Sequence, residues 1–188
     1  MGIGDICITE NVKERMGMIN VMVQDRCQCD PKKCTAKRMI KFGLAKNTGI
    51  ASIPSGALLL SPFAEKALSP ADIRFAKRSG LVVMDMTWAN IDNFPDIRQT
   101  NARALPYLLA ANPVNWGKPM RLNSAEAVFA SLLILGQKEQ ADEYLTRFNW
   151  APEFLRLNGE LLEEYSKAKD STDIVRIQNE YIAMIRER

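Results

Sequence analysis

The sequence contains no histidine. Imidazole general bases, Ser-His and Cys-His nucleophile pairs, and His-ligated zinc are therefore excluded. No GxxxxGK[ST] and no GxGxxG occurs, so the phosphate-loop and dinucleotide fingerprints are also missing. The apolar runs, such as Ala57–Leu60 and Ser131–Leu135, fall far short of the ~20 residues a bilayer span needs, so no membrane partner is expected. The N-terminus lacks a basic-then-apolar signal pattern, which leads to the expectation of a cytoplasmic chain with free thiols. There are only four cysteines, Cys7, Cys27, Cys29 and Cys34, and their spacing matches no CxxC…CxxC pair. A metal centre would need Cys7 to fold back as a fourth ligand, and the expectation is a chain without metal.

What is present is an ordinary globular composition, with 47% hydrophobic and 25% charged residues over 188 positions. The net charge of +3 is unevenly spread. Residues 1–123 hold 17 Lys+Arg and 10 Asp+Glu, a balance of +7, whereas residues 124–188 hold 8 and 12, a balance of −4. The basic excess is densest around Lys32, Lys33, Lys37, Arg38, Lys41 and Lys46. Such a stripe is the electrostatic footprint of a polyanion, or else a solvated helix face. Arg98, Arg103, Lys118 and Arg121 add to the case for nucleic acid.

Periodicity divides the chain. Residues 1–18 are patternless and read as an N-terminal extension. A strand is expected at Ile19–Val23, a helix around Ala36–Lys41 after Asp30-Pro31, and a short strand at Ile50–Ile53. A buried strand closes at Ser61-Pro62. Ser69, Pro70, Asp72 and Gly80 punctuate one helix, with the first as N-cap, the second at the opening position and the last as stop. Leu81–Met84 follows as a strand ending at Asp85, so strand, helix and strand read as a parallel βαβ unit. From Asn123 the pattern is helical. Asn123 and Glu126 form a capping-box pair, and Ala141, Tyr144, Leu145 and Phe148 repeat the helical period. Phe154 to Tyr165 repeats it with an interruption at Asn158-Gly159, and Ile174, Ile177, Tyr181 and Ile185 mark a last amphipathic helix.

Three stretches carry chemistry. Asp30–Lys37 follows a strand; it is also a plausible Asp-Pro turn and helix start. Met84-Asp85-Met86-Thr87-Trp88 lies at a strand's carboxyl end, where ligands of open α/β sheets bind. A carboxylate and an indole there suit a ligand with a positive centre, because Trp faces attract sulfonium and ammonium groups. A helix-capping Asp and a core Trp fit the same spacing. Arg103–Pro119, with Ala110-Ala111-Asn112-Pro113-Val114-Asn115-Trp116-Gly117, reads as a backbone loop that clasps a ligand, or as an inter-domain connection.

In order, DPKKCTAKRM, LSPADI at Leu68–Ile73, DMTW, RALPYLLAANPVNWGKPMRL, Glu126-Ala127 and FNW at Phe148–Trp150 form a series. This series resembles the aminocarboxypropyltransferases that modify small-subunit ribosomal RNA in archaea and eukaryotes, over roughly residues 19–165. The resemblance implies an α/β fold: an N-terminal parallel sheet with flanking helices plus a C-terminal all-α part, SPOUT-like with a deep trefoil knot. Implied domains are an extension at 1–18, an α/β RNA- and cofactor-binding domain at 19–107, and a helical domain at 108–188 closing the cleft. It implies transfer of the 3-amino-3-carboxypropyl group of S-adenosylmethionine to N3 of a (N1-methyl)pseudouridine in small-subunit rRNA, by a monomer. Asp85 matches the motif's acidic residue and is the candidate catalytic base, or else holds the cofactor's amino group, and Thr35, Met84, Trp88, Leu108, Asn123 and Ser124 are implied as cofactor-binding residues. Lys32, Lys33, Lys37, Arg38 and Lys41 are the expected RNA contacts. The chain departs from the family's usual DCSW at Met86-Thr87, has Trp116 where Tyr is common, and has Ala36 and Ala151 where Gly is common. The rival readings are a SPOUT-class RNA methyltransferase, a non-catalytic ribosome-assembly factor and a cysteine-ligated metal module.

Overall fold

A computed structural model describes residues 17–25, 34–97 and 100–187. Five short strands form one all-parallel sheet: β1 Val21–Asp25, β2 Lys46–Asn47, β3 Leu58–Leu60, β4 Leu81–Asp85 and β5 Asn101–Arg103. Their order across the sheet is β2-β1-β4-β3-β5. β1 and β4 pair over their full length, from Val21 opposite Leu81 to Asp25 opposite Asp85. Parallel strands are covered on both faces, so their sequences read as continuous apolar runs. Val21, Val23, Leu58, Leu60, Leu81 and Val83 belong to the main core, which faces the helices. Met22, Leu59, Val82 and Met84 alternate onto the other face, where Ile53, Ala57 and Ile97 cover them. The period of two along each strand fixes this division.

The helices are α1 Thr35–Lys41, α2 Ile73–Ser79, α3 Ser124–Ile134, α4 Lys138–Arg147, α5 Ala151–Lys167 and α6 Ser171–Arg186. The β3-α2-β4 unit follows its punctuation. Ser69 and Asp72 form the capping box, Pro70 opens a 3₁₀ turn that leads into α2, and Gly80 ends the helix. Gly80 has φ 87°. A Cβ there would stand 2.7 Å from the Asn20 carbonyl oxygen, so both backbone sign and space demand glycine.

Three expectations need correction. Residues Ile50–Ser52 form a 3₁₀ turn where a strand was expected; Ile50 and Ile53 pack under the sheet as cover and not as ladder. The first strand begins at Val21, two residues later than its apolar run. Asn158-Gly159 does not interrupt α5, which is continuous, because the Asn158 side chain is buried and returns a hydrogen bond to the Phe154 carbonyl at 2.9 Å. The edge strands β2 and β5 carry no apolar run and were not foreseen; backbone pairing alone makes them strands.

α3 is the centre of the helical half. Ala125, Glu126, Val128, Phe129, Ala130, Ser131, Leu132 and Ile134 are all buried, so it has no solvent stripe. Phe129 packs against Tyr144, Trp150 and Phe154 at ring separations of 5.7 to 6.2 Å. α4, α5 and α6 show the amphipathic period read from the sequence.

Candidate functional site

The sheet's order places its turning point between β1 and β4, since the chain leaves β1 for β2 on one side and leaves β4 for β5 on the other. Ligand crevices open at the carboxyl ends of strands on such a line. Asp25 and Asp85 end these two neighbouring strands in direct register. Beside them, Cys34 caps α1: its Sγ accepts the Lys37 N–H at 3.5 Å. The same thiol donates to Asp85 Oδ2 at 3.3 Å. Ser124, the first residue of α3, donates its hydroxyl to Asp85 Oδ1. Asp85 is 5% exposed. It therefore joins three elements, β4, α1 and α3, at one buried point.

Next to this point lies a cavity of about 550 Å³. Its walls include Met84 within β4, Met86 and Trp88 after it, Leu60 and Ser61 at the end of β3, Ala104 after β5, and Asn123 and Ser124 at the start of α3. The lining is mostly apolar with a few polar groups, the usual character of a small-molecule site. Trp88 is half-buried, and its Nε1–H donates to the Leu122 carbonyl at 3.2 Å. The Arg121 guanidinium lies 5.0 Å over its ring. Trp88 is thus a wall of the cavity and not a core filler. Asp85 is no helix cap either; Thr87 precedes the 3₁₀ turn there.

The stretch expected as a clasping loop is a hairpin. Residues 108–110 run antiparallel to 117–120, through Met120 N–H to the Leu108 carbonyl at 2.9 Å and Ala110 N–H to the Lys118 carbonyl at 3.1 Å. Its tip is held by a carboxylate deep in the protein. Glu126 is fully buried. Its Oε1 accepts the N–H groups of Ala111 and Asn112 at 2.7 Å each, and Oε2 accepts Asn112 Nδ2 at 2.6 Å and the Asn123 N–H at 2.8 Å. Burial pushes this carboxyl above its ordinary value, and the bonds from Asn123, Asn112 and Ala111 offset that only in part. Asn158 on α5 clamps the hairpin's base: Oδ1 accepts the Leu109 N–H at 2.8 Å and Nδ2 donates to the Leu109 carbonyl at 2.9 Å. Met120, on the cavity wall, has φ 60°, a left-handed conformation rare for a side-chain-bearing residue.

Of the expected cofactor residues, the cavity gathers Met84, Trp88, Asn123 and Ser124. Asp85 stands behind the wall in contact with Ser124. Thr35 is half-buried at the first turn of α1, beside Cys34. Leu108 does not line the cavity; its side chain is in the core and its carbonyl is bonded to Met120. Among the expected RNA contacts, Lys41 is exposed and Lys37 Nζ is 4.0 Å from Asp25 Oδ2. Arg38 lies 4.8 Å over the Phe148 ring and donates to the Arg147 carbonyl at 3.3 Å, tying α1 to α4. Lys32 and Lys33 lie outside the described residues, as do Cys7, Cys27, Cys29 and Arg98. Arg103 serves the fold: it pairs with the buried Asp72 at 2.8 Å. Reading from sequence missed Glu126 and Asn158 as organisers of the site. The one available signal was a charged or amide residue at a buried helical position, and it was absorbed by the capping box for the first and by an apparent break for the second.

Asp25, Cys34 and Asp85 bring ligand atoms within 4.8 Å of one another. Among the described residues no helix is long and apolar enough to cross a membrane.

A family model described as ribosome biogenesis protein, C-terminal, matches residues 58–182. A second, described as a possible Fer4-like domain in RNase L inhibitor, matches residues 20–50. Iron–sulfur clusters are held by cysteine thiolates. Of the three cysteines in that span, Cys27 and Cys29 lie outside the described residues, and the Cys34 thiol is engaged with Asp85 and the Lys37 N–H. The 16S rRNA aminocarboxypropyltransferase of Methanosarcina mazei is 54% identical over 159 residues, covering 82% of this chain and 90% of that protein. The protein of the same name from Methanopyrus kandleri is 46% identical, covering 82% and 93%. Among solved structures, the SAM-dependent rRNA:acp-transferase Tsr3 from Vulcanisaeta distributa superposes with a TM-score of 0.76 at 36% identity, covering 79% of this chain and 83% of that one.

Proposed function

The chain belongs to the 16S rRNA aminocarboxypropyltransferases, and on that premise we propose that it transfers the 3-amino-3-carboxypropyl group of S-adenosylmethionine to N3 of a (N1-methyl)pseudouridine in small-subunit rRNA during ribosome biogenesis. The observation that carries this reading is the junction at Asp85, where β4, α1 and α3 meet beside a cavity walled by Met84, Trp88, Asn123 and Ser124.

A sulfonium donor offers three carbons to a nucleophile, and the protein selects among them by what it presents. Trp88 supplies an aromatic face to the positive sulfur. Met84, Met86 and Leu60 enclose apolar volume for the methyl group. Thr35, at the start of α1, is assigned to the donor through its hydroxyl, Met84 through its backbone, and Asn123 and Ser124 as the polar pair at the start of α3. Asp85 either takes the N3 proton or holds the donor's amino group. N3 then bonds to the γ-carbon as the S–Cγ bond breaks, its electron pair leaving with methylthioadenosine. No metal takes part in this scheme.

The basic stretch of sequence, with Lys32, Lys33, Lys37, Arg38 and Lys41, holds the rRNA backbone. The fold is read as SPOUT-like with a deep trefoil knot, and the domains as 1–18, 19–107 and 108–188; the all-parallel sheet and the helices that begin at Ser124 support this division. The protein acts as a cytoplasmic monomer.

The test uses carboxyl-labelled S-adenosylmethionine with unmodified small-subunit rRNA. Label in the RNA, with the fragment mass raised by an aminocarboxypropyl group, is the expected result. Unlabelled RNA carrying an added methyl group would show a methyltransferase, and no donor binding by calorimetry would show a non-catalytic factor.

A further inference from the structure

Trp116 stands at the end of the hairpin tip with its indole 58% exposed. Its orientation is fixed. The Nε1–H donates to Glu153 Oε1 at 3.2 Å, and Arg156 holds Glu153 through bonds of 2.7 and 2.8 Å. The backbone below it is fixed as well. Asn112 Oδ1 accepts the N–H groups of Val114 at 3.2 Å and Asn115 at 3.1 Å, and Asn112 itself is anchored on buried Glu126. An indole held by its edge, on a turn secured to the core, presents its ring faces to water at a standing hydrophobic cost.

From Trp116 the chain passes through exposed Lys118 to Pro119, Met120 and Arg121, which wall the cavity. Arg121 is the one charged side chain among the described residues of that wall. An aromatic face followed by two cations, leading into a reaction cavity, is how single-stranded nucleic acid is held: bases stack on rings and phosphates meet the cations. Glu153 does not spoil this field, because Arg156 balances its charge.

We propose that Trp116 is a stacking platform for an unpaired rRNA base beside the nucleotide being modified, with Lys118 and Arg121 holding the adjoining phosphates. The inference rests on rRNA being the acceptor. A protein partner would also cover an exposed indole, but the two cations and the continuity with the cavity wall favour RNA.

Fluorescence anisotropy with a labelled RNA hairpin whose loop carries a pseudouridine tests it. Trp116→Ala weakens RNA binding roughly tenfold, whereas Trp116→Phe stays within about twofold, because a ring face is what stacks. The melting temperature and the affinity for S-adenosylmethionine remain those of the wild type in both variants. Replacing the stacked base by an abasic site abolishes the difference between wild type and Trp116→Ala. Equal RNA affinity of wild type and Trp116→Ala would overturn the inference and leave the indole to a protein partner. A deficit that persists on every abasic RNA, or that Trp116→Phe shares, would overturn it too. The label-transfer assay run on the wild type keeps the two readings apart: failure to transfer sinks the enzymatic assignment, while the anisotropy series still decides the stacking role.

Discussion

The Cys34 thiol donates to Asp85 Oδ2 across 3.3 Å, joining the cap of α1 to the last residue of β4, 51 positions further along the chain. Ser124 reaches the same carboxylate from α3. Removing the charge while keeping the shape separates the two roles open to Asp85. Asp85→Asn is expected to lower single-turnover transfer by roughly 10²- to 10⁴-fold with donor affinity retained if the carboxylate takes the N3 proton. Equal losses in calorimetric donor affinity and in transfer would assign it to holding the donor.

Cys34 also has a structural load, since its sulfur caps α1. Cys34→Ala loses both the cap and the bond to Asp85, and about 1 kcal/mol of stability is expected to go with the cap. Cys34→Ser restores a donor and an acceptor at the same place. Chemical denaturation of the pair reads the difference, and identical midpoints would show that the cap contributes nothing.

Asn158 makes two of its three side-chain hydrogen bonds to Leu109 from inside a helix. Asn158→Leu leaves the part-buried Leu109 N–H and carbonyl without this partner, at a cost of about 1 kcal/mol per unsatisfied group. Hydrogen exchange at Leu109 should accelerate more than exchange in the sheet. A uniform acceleration throughout the protein would contradict a local clamp.

The Glu126 carboxyl has a definite pH signature. Its ordinary value is 4.5, and burial raises it in the folded protein. The folded state therefore keeps this proton to higher pH than the unfolded state does. Its contribution to stability is present below 4.5 and is lost as pH rises through the folded value. Glu126→Gln has no proton to exchange, so urea midpoints of the variant should fall less steeply than those of the wild type over that window. Parallel pH profiles would refute the assignment.

Gly80 is expected to tolerate no side chain. Gly80→Ala drives a Cβ to 2.7 Å from the Asn20 carbonyl oxygen at φ 87°, where backbone must yield. A loss of more than about 1 kcal/mol follows from the left-handed conformation alone. A melting temperature equal to the wild type would show that the β1–β4 junction relaxes at no cost.

The sequence alone determined the elements whose signals are local. Ser69, Pro70 and Gly80 delimit α2, Asn123 and Glu126 start α3, and the apolar run Leu81–Met84 makes β4, because capping, turn conformation and periodicity act within a few residues. It also ordered the motifs that place the chain in its family. The tertiary structure decided the rest. β2 and β5 exist only through pairing with β1 and β3, so no run of their own residues announces them. Ile50–Ile53 looked like a strand because covering a sheet and joining it need the same apolar side chains. Glu126 and Asn158 organise the site through bonds to residues 14 to 49 positions away, and such partners have no signature in local spacing. Asp85 was legible as an acid at a strand end; that Cys34 and Ser124 converge on it depends on how the chain brings α1 and α3 to the end of β4.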